Sequence, residues 1–147
     1  MTCSKNFTVK ELNEATRVIT GLLKQYPLLN SSGWASSFYY RTPENSLKEI
    51  IAERDAMPVD HAEPFLRACK WIRSSMVPSD KLCEEISSYG LKHLAEEEIG
   101  YIRNGTFIAA AIHCGFEFAP VTKDLNPQNL YFKFDYKALM RRLATAV

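Results

Sequence analysis

Residues 101–116 read YIRNGTFIAAAIHCGF, and the reading of Gly105–Cys114 within them decides the fold. That segment is apolar nearly all round, holds consecutive alanines at Ala109, Ala110 and Ala111, and contains no Lys or Arg. A helix with no polar face belongs inside a protein, and the alanines favour close approach of neighbouring helices. Asn104 stands where a helix cap is expected, and Gly115 where a helix terminator is expected.

The unit extends outward on both sides. Upstream, Pro78-Ser79-Asp80 opens it, and Lys81–Ile86 is expected to form a short helix. Ser87-Ser88-Tyr89-Gly90 then leads into a second short helix, Leu91–Glu98, with Leu91, Leu94 and Ala95 inward and Gly100 as its stop. Downstream, Phe116–Val121 and Asn129–Asp135 alternate apolar and polar residues as strands do. The turn formers of Thr122–Gln128 join them. Lys137–Ala144 completes the chain as an amphipathic helix. The expectation is therefore a mainly α, α+β domain: a C-terminal tri-helical unit closed by a β-hairpin, winged-helix-like in outline.

In a winged helix-turn-helix, Gly105–Cys114 would be the recognition helix and Thr122–Gln128 the wing tip. A helix that reads DNA exposes Arg, Lys, Asn or Gln toward base edges. This one offers none, with Arg103 before its start and His113 near its end, so composition places it in the core. Nucleic-acid contact through another face stays open. Arg103, Lys123, Lys133, Lys137, Arg141 and Arg142 are the residues that could touch phosphates without reading bases. A solvated helix face explains the same charges. The run Glu96-Glu97-Glu98 reads as the exposed side of a short helix.

Residues 1–77 form the N-terminal helical part of what the length of 147 residues suits to be a single domain, with 78–147 as the core unit. Thr8-Val9-Lys10-Glu11 has the spacing of a capping box. Leu12, Ala15, Ile19, Leu22, Leu23 and Tyr26 follow on one helical face, and Pro27 ends the helix. Leu28–Thr42 is irregular and holds Trp34, Phe38, Tyr39 and Tyr40. These rings either fold back over the core or form an aromatic contact surface for a partner. Pro43 opens a helix with Leu47, Ile50 and Ile51 inward, which Met57-Pro58 breaks. Asp60 is expected to cap a third helix with Phe65, Ala68, Cys69 and Ile72 as its apolar stripe, Trp71 beside it, and Arg67, Lys70 and Arg73 on its basic side.

A hydrophobic fraction of 46% and a charged fraction of 24% are ordinary for a folded domain. A net charge of +1 gives no bulk pull toward nucleic acid or anionic membrane. The opening MTCSKNFTVKEL has no apolar stretch after a basic start, and no run approaches the ~18 apolar residues of a membrane helix. A cytoplasmic location is expected, with Cys3, Cys69, Cys83 and Cys114 reduced.

For chemistry the sequence offers little. His93 and Glu97 share i,i+4 spacing with Tyr89 one turn earlier, which allows an acid/base pair. His93 and Glu96 share i,i+3 spacing, but further ligands of the right type and spacing are missing, so no metal is expected. A packing or capping role explains His93 as well. His113-Cys114 is an adjacent pair whose side chains diverge on a helix. No nucleophile elbow, phosphate loop or dinucleotide fingerprint is present, and no cofactor is expected.

The segment Ser88-Tyr89-Gly90-Leu91-Lys92-His93, with Tyr101–Ala111 and Gly115-Phe116 after it, resembles a family of small bacterial proteins tied to phages, plasmids and integrated elements. The resemblance spans residues 71–134 and carries over no catalytic or binding residue. It implies a mobile-element product that acts by binding: a DNA-transaction accessory, or an inhibitor of a host defence system such as an anti-CRISPR protein. It also implies that His93 holds the turn between helices, that Asn104 caps the core helix and that Gly105 permits close backbone approach. The expectation is a non-enzymatic binding protein with a protein or nucleoprotein partner. A DNA-binding regulator is the first alternative, and a small enzyme using His93 with Glu97 the second.

Overall fold

The structure is a computed structural model that describes residues 6–35, 43–121 and 128–145. Its elements are α1 (Val9–Gln25), α2 (Pro43–Asp60), α3 (Ala62–Ser75), β1 (Pro78–Leu82), α4 (Ser88–Ile99), α5 (Asn104–His113), β2 (Phe118–Pro120), β3 (Leu130–Phe134) and α6 (Tyr136–Thr145). The architecture is mainly helical with a small antiparallel sheet in the order β1-β3-β2.

α1 begins as its spacing predicts. Glu11 N donates to Thr8 Oγ1 at 3.0 Å and Thr8 N to Glu11 Oε1 at 2.8 Å, and Ala15, Ile19, Leu22 and Leu23 are buried. One of its C-terminal carbonyls and two in the turn after it are satisfied from α2. Arg54 Nη1 donates to Pro27 O at 3.0 Å and Leu29 O at 3.2 Å, and Nη2 to Leu23 O. The α2 helix runs on through Pro58 to Asp60 rather than breaking at Met57-Pro58. Pro58 sits in the last turn, where its missing N–H removes a single hydrogen bond. Ile51 is half exposed, whereas Met57 is fully buried and does the packing. The side chains of Leu47 and Ile50 lie outside the described ones. Asp60 belongs to α2, so the N-cap of α3 is His61, without a side-chain cap bond. The stripe of Phe65, Ala68, Cys69 and Ile72 is buried as its periodicity predicts, together with Trp71.

The largest departure from expectation is Lys81–Ile86, which is not a helix. Pro78–Leu82 forms a strand on β3, with Pro78 opposite Phe134 and Leu82 opposite Lys133 across a register shift. Cys83 N extends the pairing to Phe132 O at 2.9 Å. Helix propensity is a weak prior, and the ladder offered by a strand some 50 residues away overrides it. The three-helix set is therefore α3, α4 and α5, with β1 inserted after its first member. Helix–strand–helix–helix–strand–strand, with the first strand against the last, keeps the winged-helix outline.

β2 and β3 form the hairpin, in the register Phe118↔Phe132, Ala119↔Tyr131 and Pro120↔Leu130. Pro120 is tolerated because β2 is an edge strand. The central strand β3 buries Leu130, Tyr131, Phe132 and Phe134. α4 starts at Ser88, three residues ahead of the expected boundary. Ser88 is fully buried, and its Oγ accepts from Leu130 N at 3.1 Å, tying the helix start to the sheet. Asp135 Oδ1 accepts from Ala138 N at 3.0 Å at the start of α6.

α5 is the centre of the core. Every residue from Asn104 to Ala111 is buried, and the helix packs against α3, α4 and α1. A Cβ on Gly105 would lie 1.7 Å from Asn30 O, and Gly105 N donates to Ser31 O at 3.1 Å. The loop before Trp34 thus rests directly on the backbone of α5. Gly115 follows the helix with φ 94°, the left-handed conformation that glycine adopts without strain.

Candidate functional site

The corner between α4 and α5 opens a polar cleft of about 520 Å³. α4 supplies Tyr89, Lys92 and His93, the linker supplies Tyr101 and Arg103, and α5 supplies Asn104. Ser31, Ser32, Gln128 and Asn129 form the remaining lining. Arg67 on α3 holds the corner in shape. Its Nε donates to Glu63 Oε1 at 2.8 Å, its Nη1 to Ile99 O and its Nη2 to Tyr101 O at 3.3 Å.

Lys92 organises one wall. Only 7% exposed, its Nζ donates to Glu96 Oε2 at 2.8 Å and lies 5.5 Å from the Tyr89 ring centroid and 5.0 Å from that of Tyr101. One ammonium therefore fixes two rings through their π-faces. Glu96 Oε2 also accepts from Ile102 N at 3.1 Å, and Oε1 pairs with His93 Nδ1 at 2.9 Å. Burial opposes the Glu96 charge, but hydrogen bonds from Lys92 and Ile102 and the nearby Lys92 and His93 charges outweigh it. The carboxyl is held below its ordinary range. The His93 ring meets Tyr89 edge-on at 4.3 Å, and its side chain is 50% exposed.

On the facing side, Asn104 does not cap α5. The N-cap is Arg103, with no side-chain cap bond, because Asn104 lies inside the helix and turns outward to tie loops together. Its Nδ2 donates to Asn129 Oδ1 at 2.9 Å, Gln128 O at 3.2 Å and Ser32 O at 3.3 Å. Its Oδ1 is buried without a partner. Arg103 Nη2 lies 3.4 Å from Ser32 Oγ, and no carboxylate pairs with Arg103 among the described residues.

No family model, curated protein or solved structure matches the chain.

Among the described residues, those singled out from sequence are not brought to one place. Trp34 is 9% exposed, its ring 5.6 Å from Tyr26 and 5.1 Å from Phe118, so it packs against these rings. Phe38, Tyr39, Tyr40 and Lys123 lie outside the described residues. Arg103 is in the cleft. Lys133 pairs with Glu117 at 3.4 Å, and Arg142 with Glu98 Oε1 at 2.6 Å. Lys137 and Arg141 are exposed on α6. The acidic run is not a uniform solvated face: Glu96 serves the cleft, and Glu98 accepts from Trp71 Nε1 at 2.5 Å as well as from Arg142. Tyr89 and His93 do line the cleft, but Glu97 does not, and the carboxylate on His93 is Glu96. Lys92 and Tyr101, which also line the cleft, were not among the residues singled out from sequence. The i,i+4 spacing of Lys92 and Glu96 was the available signal.

Cys69 and Cys83 are poor nucleophiles, whereas the hydrogen bond with Cys69 lowers the pKa of the Cys114 thiol. The Cys114 thiol donates to Cys69 O at 4.0 Å. A hydrogen bond between the two thiols, together with burial, pushes the Cys69 thiol up. Burial raises Cys83 to about 11. Among the described residues no group of His, Cys, Asp and Glu could hold a metal ion, and no helix is long and apolar enough to cross a membrane.

Proposed function

We propose that this chain is a non-enzymatic binding protein that acts on a protein or nucleoprotein partner. The observation that supports the reading is the burial of α5. The helix in the place of a DNA-recognition helix is closed from Asn104 to Ala111, so it has no face to lay in a groove. What the molecule offers instead is the cleft beside it, rimmed by the exposed rings of Tyr89 and Tyr101 and by Arg103. The resemblance to mobile-element proteins makes a host-defence complex a partner to test, as for an anti-CRISPR protein.

The deciding experiment is a titration of labelled duplex DNA at several salt concentrations. Non-specific duplex binding falls at roughly 10⁻⁴–10⁻⁶ M at physiological salt. No binding tighter than that range is expected, and affinity changes between duplex sequences should be absent. Sequence-dependent binding tighter than about 10⁻⁶ M would reverse the order and put a DNA-binding regulator first.

A further inference from the structure

We propose that the cleft between α4 and the start of α5 binds a nucleoside phosphate, with the phosphate on Arg103 and the base against Tyr101. This rests on the reading of the chain as a binding protein and names the chemistry of its cleft.

The volume comes first. About 520 Å³ falls within the ~300–1,000 Å³ range of small-ligand sites. Charge comes second. Lys92 is balanced by Glu96, whereas Arg103 is paired with no carboxylate among the described residues. Arg103 also stands at the N-terminus of the ten-residue α5, where the helix dipole adds positive potential. A guanidinium there suits the forked geometry of a phosphate.

The aromatic surface is the third point. Tyr101 is 71% exposed in a polar cleft, and Lys92 holds it in place from one side. Such a preset, solvent-facing ring stacks a base at little cost in ordering.

The fourth point separates a nucleotide from a plain anion. Asn104 lines the cleft and is only 7% exposed, and every donor contact it makes uses Nδ2. Its Oδ1 is the one buried side-chain polar atom without a partner among the described residues. A buried acceptor without a donor is costly. A carboxylate has no hydrogen to give and hydrogen phosphate only its O–H, whereas the amino and imide groups of bases present N–H donors at the edge of a ring.

The test is calorimetric titration of the full chain with AMP, GMP, CMP and UMP, with inorganic phosphate, and with short single strands of each base. At least one nucleotide is expected to bind with Kd of about 10⁻⁴ M or tighter, and phosphate at least about tenfold more weakly. Tyr101→Ala and Arg103→Ala should each weaken nucleotide binding about tenfold, while Tyr101→Phe keeps it. Far-UV melts of these variants check that their fold is intact. A single strand that binds more tightly than its mononucleotide, with the same dependence on both residues, identifies a strand as the source. Equal affinities identify a free nucleotide. The proposal is overturned if nothing binds, if phosphate binds as well as every nucleotide, or if neither alanine variant changes the affinity. The duplex titration is a separate outcome: its result judges the partner reading, whatever the nucleotides do.

Discussion

Gly105 has no room for a side chain. The Cβ of an alanine there would fall 1.7 Å from Asn30 O, and the obstacle is backbone, which cannot rotate aside. Gly105→Ala must push the Asn30–Trp34 loop off α5 or shift the helix. Overpacking of this kind costs about 1–3 kcal/mol and sometimes more. The expected result is an unfolding free energy lowered by that amount, read as a lower urea midpoint, and an unchanged midpoint would show that the loop yields freely. His61 gives a second test at this scale. Its Nδ1 lies 3.0 Å from Thr106 Oγ1, and burial and the Arg103 charge lower its pKa from the ordinary 6.5. The neutral ring is therefore favoured by folding. Above 6.5 both folded and unfolded chains carry it neutral, and below 6.5 the unfolded chain takes up the proton first. Stability is whole above that pH and declines as pH falls toward the folded value. His113 is shifted in the same direction, chiefly by burial, and adds to the slope. Urea midpoints measured from pH 8 to pH 5 should fall, and less steeply in His61→Gln. Equal slopes in the two proteins would remove His61 from the account.

At the scale of elements, Arg54 does for α1 what no residue of α1 can. Its guanidinium reaches the carbonyls of Leu23, Pro27 and Leu29, at the end of the helix and the turn after it. Hydrogen bonds from a charged donor contribute about 1.5–3 kcal/mol each when buried, and less at a site this open. Arg54→Ala should lower stability by about 1–2 kcal/mol. It should also speed hydrogen exchange in the last turn of α1 before that of α5. Uniform exchange changes along the chain would argue against a local capping role.

The same scale shows what the sequence discloses. The face of α1, the stripe of α3 and the burial of α5 are legible because each is local periodicity or local composition. The hairpin is legible because turn formers separate two alternating runs. β1 is not, because its identity depends on pairing with β3 far along the chain, and Lys-Leu-Cys-Glu-Glu-Ile at 81–86 has no strand pattern of its own. The cleft is half legible. Tyr89, Lys92, His93 and Glu96 share one helix and reveal their spacing. Their meeting with Tyr101, Arg103 and the Ser31–Ser32 loop depends on how α4 turns into α5, and no local pattern records that turn.

For the whole molecule, the question is whether 78–147 can stand without 1–77. One hydrophobic cluster runs from Ala15 on α1 through Phe65, Ala68, Cys69, Trp71 and Ile72 on α3 to Phe107, Phe132 and Leu139. α3 and α5 share the most extensive helix–helix contact. A cut at residue 77 removes α3, and with it the surface that covers the Phe107 side of α5. It also removes the Asn30–Trp34 loop from the helix start and leaves Glu98 without Trp71. A 70-residue remainder buries too little surface to replace those contacts, since single cores of ~70–80 residues are already marginal. The isolated 78–147 fragment is expected to show weak far-UV dichroism and no cooperative urea transition. A fragment begun before His61 keeps α3 and should recover more structure, though less than the full chain, because α1 still covers part of the same core. A cooperative transition in the 78–147 fragment, at a midpoint near that of the full chain, would mean that α4, α5 and the hairpin are a self-sufficient unit and that the N-terminal helices merely lean on it.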